Sequence, residues 1–256
     1  MTLQPSLFVS HGAPTLAISD TPARRFLADY GASLPQPAAI AVVTAHWETD
    51  RPAVGGAAAP RTIHDFGGFP EALYRIRYAA PGAPELAQRI AQNLHDAGLD
   101  AAVDPARGLD HGVWVPLSLL FPAAEIPVVP ISVQPHLGPD HAVRIGQALA
   151  ALRNQGVLIV ASGSLTHNLR ALDWTAGDDA DPRAAAFADW IDAAIGRDDR
   201  DALRDYRARA PFARFHHPTE EHLLPLFAAL GAGGPGRRIH TSASFGSLMM
   251  DAYEFS

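Results

Sequence analysis

The chain has 256 residues, 48% hydrophobic and 18% charged, a balance that excludes a disordered or coiled-coil protein and has room for one large α/β domain. Its formal net charge is −7 with the basic residues scattered, which excludes a phosphate-tracking nucleic-acid surface. It has no cysteine, so disulfides, cysteine-based zinc sites, iron–sulfur clusters and thiol catalysis are excluded together.

No run approaches the roughly 18–20 apolar residues of a membrane span, and the first nine residues show no basic region ahead of an apolar one. A soluble cytoplasmic protein with neither membrane nor nucleic acid as partner is expected. Proline (22 residues) points to ordered loops, and histidine (12 residues) is frequent enough to make its placement the central question.

Ser6-Leu7-Phe8-Val9 predicts a short buried strand that stops at Ser10-His11-Gly12. Residues 21–30 predict a helix with Thr21 as N-cap, Pro22 at the first helical position and Gly31 as the stop. Residues 40–44 predict a second buried strand, stopping at His46-Trp47, and the Gly/Ala/Pro-rich stretch 51–70 a long loop. Residues 84–94 predict an amphipathic helix with Gly98 beyond its end, and 99–103 a short strand. A loop over 107–114 leads to a short helix over 117–121. Residues 126–133 predict a strand interrupted by Pro127 and Pro130, and 139–152 a helix ending near Gly156. Residues 157–161 predict another buried strand, stopping at Ser162-Gly163-Ser164. An acidic loop at 178–182 precedes helices over 184–195 and 201–208, and Thr219 is the N-cap of a helix over 219–230. Residues 238–243 and 248–253 predict closing strands.

Val/Ile-rich strands alternating with amphipathic helices predict an α/β fold, a central mixed, mostly parallel sheet flanked by helices. With no repeat and no linker, residues 1–256 read as one domain.

Three apolar strands are each followed by a histidine: His11, His46 and His167. Ligands of open α/β sheets bind outside the carboxyl ends of the strands, so adjacent ends would converge these imidazoles. A fourth, His222, falls in the first turn of the helix after Thr219, where the positive helix end favours the neutral imidazole a metal needs. A fifth, His111, follows Asp110 in a glycine-containing turn. Each histidine alone also fits an ordinary hydrogen-bonded loop residue; the coincidence carries the argument. The GxGxxG match at Gly231–Gly236 follows a helix and contains a proline, so it is a loop rather than a dinucleotide fingerprint. HExxH is absent, and Ser164 lacks the nucleophile elbow of a serine hydrolase.

Six motifs then match a known family in order and spacing. They are Ser10-His11-Gly12-Ala13-Pro14, Ala45-His46-Trp47, Thr62-Ile63-His64-Asp65-Phe66-Gly67-Gly68-Phe69-Pro70, Leu109-Asp110-His111-Gly112-Val113-Trp114, Ala161-Ser162-Gly163-Ser164 with His167-Asn168-Leu169, and His217-Pro218-Thr219-Glu220-Glu221-His222. Together they resemble the DOPA-type extradiol dioxygenases of the class III, LigB-like superfamily, from near residue 6 to Ser244-Phe245-Gly246-Ser247-Leu248.

The resemblance implies one metal in a cleft at the sheet edge, with His11, His46 and His222 as ligands. It implies that His167 is either a fourth ligand or the acid–base group, that His111 lies at the substrate, and that His64 and Phe69 belong to a loop over the pocket. Many class III enzymes use two histidines and a Glu. Here Glu220 and Glu221 flank His222, so a carboxylate ligand stays open. Ring cleavage of a catechol with O₂ is the implied reaction, with Fe(II) the redox-competent metal and Zn(II) an alternative occupant that imidazoles also suit. His167 or His111 would move protons, and Trp47, Trp114 and Phe69 would wall an aromatic ring. A zinc-dependent hydrolase and a non-catalytic interaction protein are the competing readings, and a monomer or small homo-oligomer is expected.

Overall fold

The computed structural model describes residues 2–256. Its strands, in chain order, are β1 (Ser6–Ser10), β2 (Ala39–Glu48), β3 (Ala53–Gly55), β4 (Ala102–Asp104), β5 (Val128–Val133), β6 (Val157–Gly163), β7 (Gly236–His240), β8 (Ala243–Ser244), β9 (Leu248–Met249) and β10 (Ala252–Phe255). Its helices are α1 (Pro22–Ser33), α2 (Glu71–Arg75), α3 (Pro84–Asp96), α4 (His111–Leu120), α5 (Gly138–Leu149), α6 (Pro182–Gly196), α7 (Arg200–Arg204), α8 (Tyr206–Arg209), α9 (Ala213–His216) and α10 (Leu224–Ala232).

Eight strands form one sheet in the order β4-β3-β5-β2-β6-β1-β10-β7, and β8 pairs with β9 separately. The four central strands β5, β2, β6 and β1 are parallel, while β3 and β10 join them antiparallel. The central strands are buried along both faces, and their side chains divide by period 2 between two apolar cores. Ala41, Val43, Ile159 and Ala161 enter the core under α3, α5, α6 and α10. Ile40, Val42, Leu158 and Val160 enter the core under α1, α2 and α4. This is the α/β sheet the composition predicts, with helices on both faces.

Local signals hold where no tertiary contact competes. The Thr21 hydroxyl caps α1 by accepting the N–H of Arg24, with Pro22 in the first turn. Gly31, however, does not stop that helix, which runs on to Ser33. A Cβ there would stand 2.2 Å from the carbonyl oxygen of Leu120, so the glycine serves a close helix–helix approach. The expected loop over 51–70 contains β3, and the expected loop over 107–114 holds the start of α4.

The helix expected from Thr219 begins only at Leu224. The Thr219 hydroxyl donates to the Glu221 carboxylate instead of capping. The carbonyl of His222 accepts the N–H of Ser164 at 2.9 Å, which ties this turn to the end of β6 and leaves it non-helical.

Candidate metal centre

β2, β6 and β1 are neighbours, so their carboxyl ends form one continuous edge. His11 follows β1, His46 lies near the end of β2, and His222 is held against the end of β6. The Nε2 of His46 lies 2.9 Å from the Nε2 of His11 and 3.3 Å from that of His222. The three atoms fall within 4.8 Å of one another. His111 and His167 border the same point: the His111 ring centroid is 3.9 Å from that of His46, and the His167 ring stacks on His222 at 3.5 Å.

The outer nitrogen of each central imidazole meets an acceptor. Pro116 lies inside α4 and has no N–H to give to the carbonyl of Gly112, four residues earlier. That carbonyl accepts the Ser162 hydroxyl instead. With its proton so used, the Ser162 oxygen accepts Nδ1–H from His11 at 2.9 Å. His222 donates Nδ1–H to Glu221 at 2.9 Å. The Nδ1 of His46 faces Asp65 at 3.4 Å. His11 and His222 are therefore held in the tautomer whose Nε2 carries a lone pair, and the Nε2 atoms of all three rings converge.

Gly112 belongs to the same construction. A Cβ there would meet the Thr44 hydroxyl at 2.7 Å and the His46 ring at 2.9 Å, so only glycine lets α4 start against the site. Asp110, fully buried, accepts the Thr44 hydroxyl at 2.8 Å and the Arg107 guanidinium at 2.5 Å. Asp65 accepts both the backbone N–H and Nδ1–H of His111, each at 3.0 Å, which aims the other ring nitrogen of His111 away from it.

Electrostatics keep His11, His46, His167 and His222 neutral. Burial above all, then mutual repulsion among the rings, holds His11 and His222 well below the usual histidine range. Burial likewise lowers His46, outweighing the nearby Asp65. Burial lowers His167 too, against the pull of Glu221. Burial pushes the Asp65 carboxyl up, but the hydrogen bonds from His111 prevail and keep it ionised.

This donor set fits one divalent cation. Imidazole nitrogens bonded to a single ion at about 2.0–2.1 Å stand roughly 3.0–3.4 Å apart, close to the spacing found. Lone pairs facing one another repel unless a positive centre lies among them. A three-histidine set also leaves positions open to other ligands.

The description "catalytic LigB subunit of aromatic ring-opening dioxygenase" matches residues 6–251. The chain belongs to the LigB family. It is an extradiol aromatic ring-opening dioxygenase, as its relatives are named. A 4,5-DOPA dioxygenase extradiol of Beta vulgaris is 42% identical, over 99% of this chain and 97% of that protein. One of Escherichia coli strain K12 is 40% identical, over 90% of this chain and 86% of that protein. The crystal structure of an uncharacterised Escherichia coli K12 protein superposes with a TM-score of 0.82 at 31% identity, over 99% of this chain and 100% of that one.

In this LigB-family chain a cavity of about 470 Å³ opens over the imidazoles. His11, His46, His111, His167, His222 and Phe69 line it. Three residues expected at the pocket do not. Trp47 lies under the Arg107 guanidinium at 4.7 Å, because neighbours along a strand point to opposite faces and His46 takes the inner one. Trp114 is fully buried, its Nε1–H donating to the carbonyl of Ile63. His64 faces the Ile76 carbonyl at 3.2 Å and stands beyond the cavity wall. Glu221, left open as a ligand, sits behind His222 on the Nδ1 side. Sequence reasoning missed the orienting roles of Ser162 and Asp65, although both lie inside motifs it had singled out. It also missed Phe66 and Leu248, which lie inside quoted motifs, and Leu172 and Trp174, which carry no local signal; all four line the cavity.

Proposed function

We propose that residues 1–256 act as one catalytic domain that opens catechol rings beside one hydroxyl with O₂, using one divalent metal held by His11, His46 and His222. The observation that carries this reading is the convergence of three Nε2 atoms, with the Nδ1 sides of His11 and His222 bonded to Ser162 and Glu221 and that of His46 facing Asp65. Bound there, an Fe(II) ion supplies Lewis acidity that acidifies the catechol hydroxyls and the redox capacity that O₂ requires.

The chain's own groups account for the rest. His167, kept neutral by burial, is the base for a hydroxyl proton and returns that proton later as an acid. Its ring is held by stacking on His222, and its Nδ1 lies 3.9 Å from Glu221, which steadies the charged form in passing. His111, oriented by Asp65, presents its free nitrogen at the other side of the ring site. Phe66 and Phe69 exclude water from the ring face. Both oxygen atoms of O₂ enter the product, a ring carbon–carbon bond breaks, and the product is a muconic semialdehyde. The curated relatives are named for 4,5-DOPA, which makes that catechol the first to try.

The test is anaerobic loading of the protein with Fe(II), or with Zn(II) in parallel, followed by catechols and O₂. Iron-dependent oxygen uptake with a yellow product is expected, abolished in His46→Ala and reduced about 10²- to 10⁴-fold in His167→Ala, which still binds iron. No uptake across a broad catechol panel with iron demonstrably bound would overturn the proposal.

A further inference from the structure

Of the five imidazoles at the cavity, that of His167 alone makes no hydrogen bond of its own among the described residues; it stacks on His222 and its Nδ1 stands 3.9 Å from Glu221. Its place is set by the backbone that carries it. That backbone runs beside residues 215–217 in the opposite direction, and three hydrogen bonds join the two segments. The Leu165 carbonyl accepts Nε2–H of His217 at 2.8 Å. The His167 N–H donates to the His216 carbonyl at 2.9 Å. The Asn168 side-chain amide donates to the Phe215 carbonyl at 2.6 Å.

His217 is anchored independently of this pairing. Its N–H donates to the Ala213 carbonyl at 2.8 Å, and its carbonyl accepts the Arg207 guanidinium at 3.0 Å. Its ring is fully buried against Phe187 and Tyr206, and burial keeps it neutral, so it has one N–H to give. That proton points at the Leu165 carbonyl and leaves Nδ1 buried without a partner. An orphaned buried nitrogen costs stability that an apolar side chain of similar volume would not. Packing alone therefore does not account for a histidine at this position; the donor to Leu165 does.

We infer that His217 is the positioning residue of His167: through the Leu165 carbonyl, with the Asn168 amide and the His216 carbonyl beside it, it fixes the backbone from which the His167 ring reaches the metal centre. Losing this donor spares the metal ligands. His222 keeps its bonds to Glu221 and Ser164, and His11 keeps its bond to Ser162. The kinetic consequence rests on the proposed acid–base role of His167; the structural consequence does not.

The experiment compares the iron-loaded protein with His217→Leu, which fills the space without a donor, and with His217→Gln, whose amide N–H stands where Nε2–H stood. His217→Leu is expected to lower kcat about 10- to 100-fold, the cost of displacing a reacting group by about 1 Å. The KM for catechol, and metal affinity by chelator titration, are expected to stay within about twofold of the parent, and His217→Gln to recover most of the lost kcat. In a His167→Ala background, His217→Leu is expected to cost nothing further, because the group it positions is gone. Asn168→Ala is expected to repeat the pattern at a smaller loss, and it carries the test if His217→Leu does not fold. In a crystal structure of the zinc-loaded variant, the His167 ring is expected to leave its stack on His222. An equal loss of kcat with and without His167, a fall in metal affinity as large as the fall in kcat, or a His167 ring still stacked in the variant would overturn the inference while ring opening stands. If the parent turns over no catechol, the proposed function falls, and the place of the His167 ring in the zinc-loaded variant still decides this inference.

Discussion

At the scale of single residues, the site depends on side chains that never face the cavity. The sequence Pro116, Gly112, Ser162, His11 is a relay: a missing N–H frees a carbonyl, the carbonyl fixes a hydroxyl, and the hydroxyl fixes a tautomer. Ser162→Ala removes the acceptor for Nδ1–H of His11 and is expected to weaken metal binding about 10- to 100-fold. Pro116→Ala restores a helix N–H that competes for the Gly112 carbonyl, so it is expected to weaken metal binding several-fold while the helix itself gains stability. A competitive chelator titration reads both, and unchanged affinity in Ser162→Ala would break the relay argument. Asp65→Asn takes the charge from behind His111 and is expected to reduce kcat about 10- to 100-fold. Metal affinity should fall as well, because Asp65 also faces the Nδ1 of the ligand His46, so kcat is compared at full metal occupancy.

At the scale of elements, the fold was legible wherever local chemistry had no rival. The buried strands, the Thr21 cap and the placement of His11 and His46 after strands could be read because periodicity and capping are local. The start of α10 could not, because a hydrogen bond from Ser164, 58 positions away in sequence, outweighs the capping signal at Thr219. Trp47, Trp114 and His64 read as pocket residues because motif proximity to His46 and His111 does not say which way a side chain points. Gly31 shows the same limit in reverse, since a helix-stop signal conceals a packing contact. Gly31→Ala should gain up to about 1 kcal/mol in helix propensity. Its Cβ, 2.2 Å from the Leu120 carbonyl oxygen, forces α1 off α4 and costs more, about 1–3 kcal/mol. A net fall in the urea midpoint is expected; a rise would mean that the two helices separate at no cost.

At the scale of the whole molecule, gathering neutral imidazoles at one sheet edge couples stability to pH. In the metal-free protein His11 and His222 lie well below 6.5, and burial lowers His217 to about 3. Below 6.5 the unfolded chain takes up protons that the folded chain refuses, so stability is full above that pH and falls as the pH falls. Bound metal adds to the folded state only while the Nε2 atoms are unprotonated, so its contribution fades in the same direction. Asp251 has the opposite sign. It is fully buried beside Arg238, and burial raises its carboxyl to about 7. Between the ordinary carboxylate range and about pH 7 the folded chain holds a proton that the unfolded chain has lost, so this contribution declines as the pH rises. Asp251→Asn abolishes that titration and leaves the histidines untouched. Relative to the parent, the metal-free variant is expected to gain on the order of 3–4 kcal/mol between pH 4 and pH 8, measured by urea unfolding at each pH. A difference that stays flat with pH would show that Asp251 ionises in the folded protein as it does in the unfolded chain.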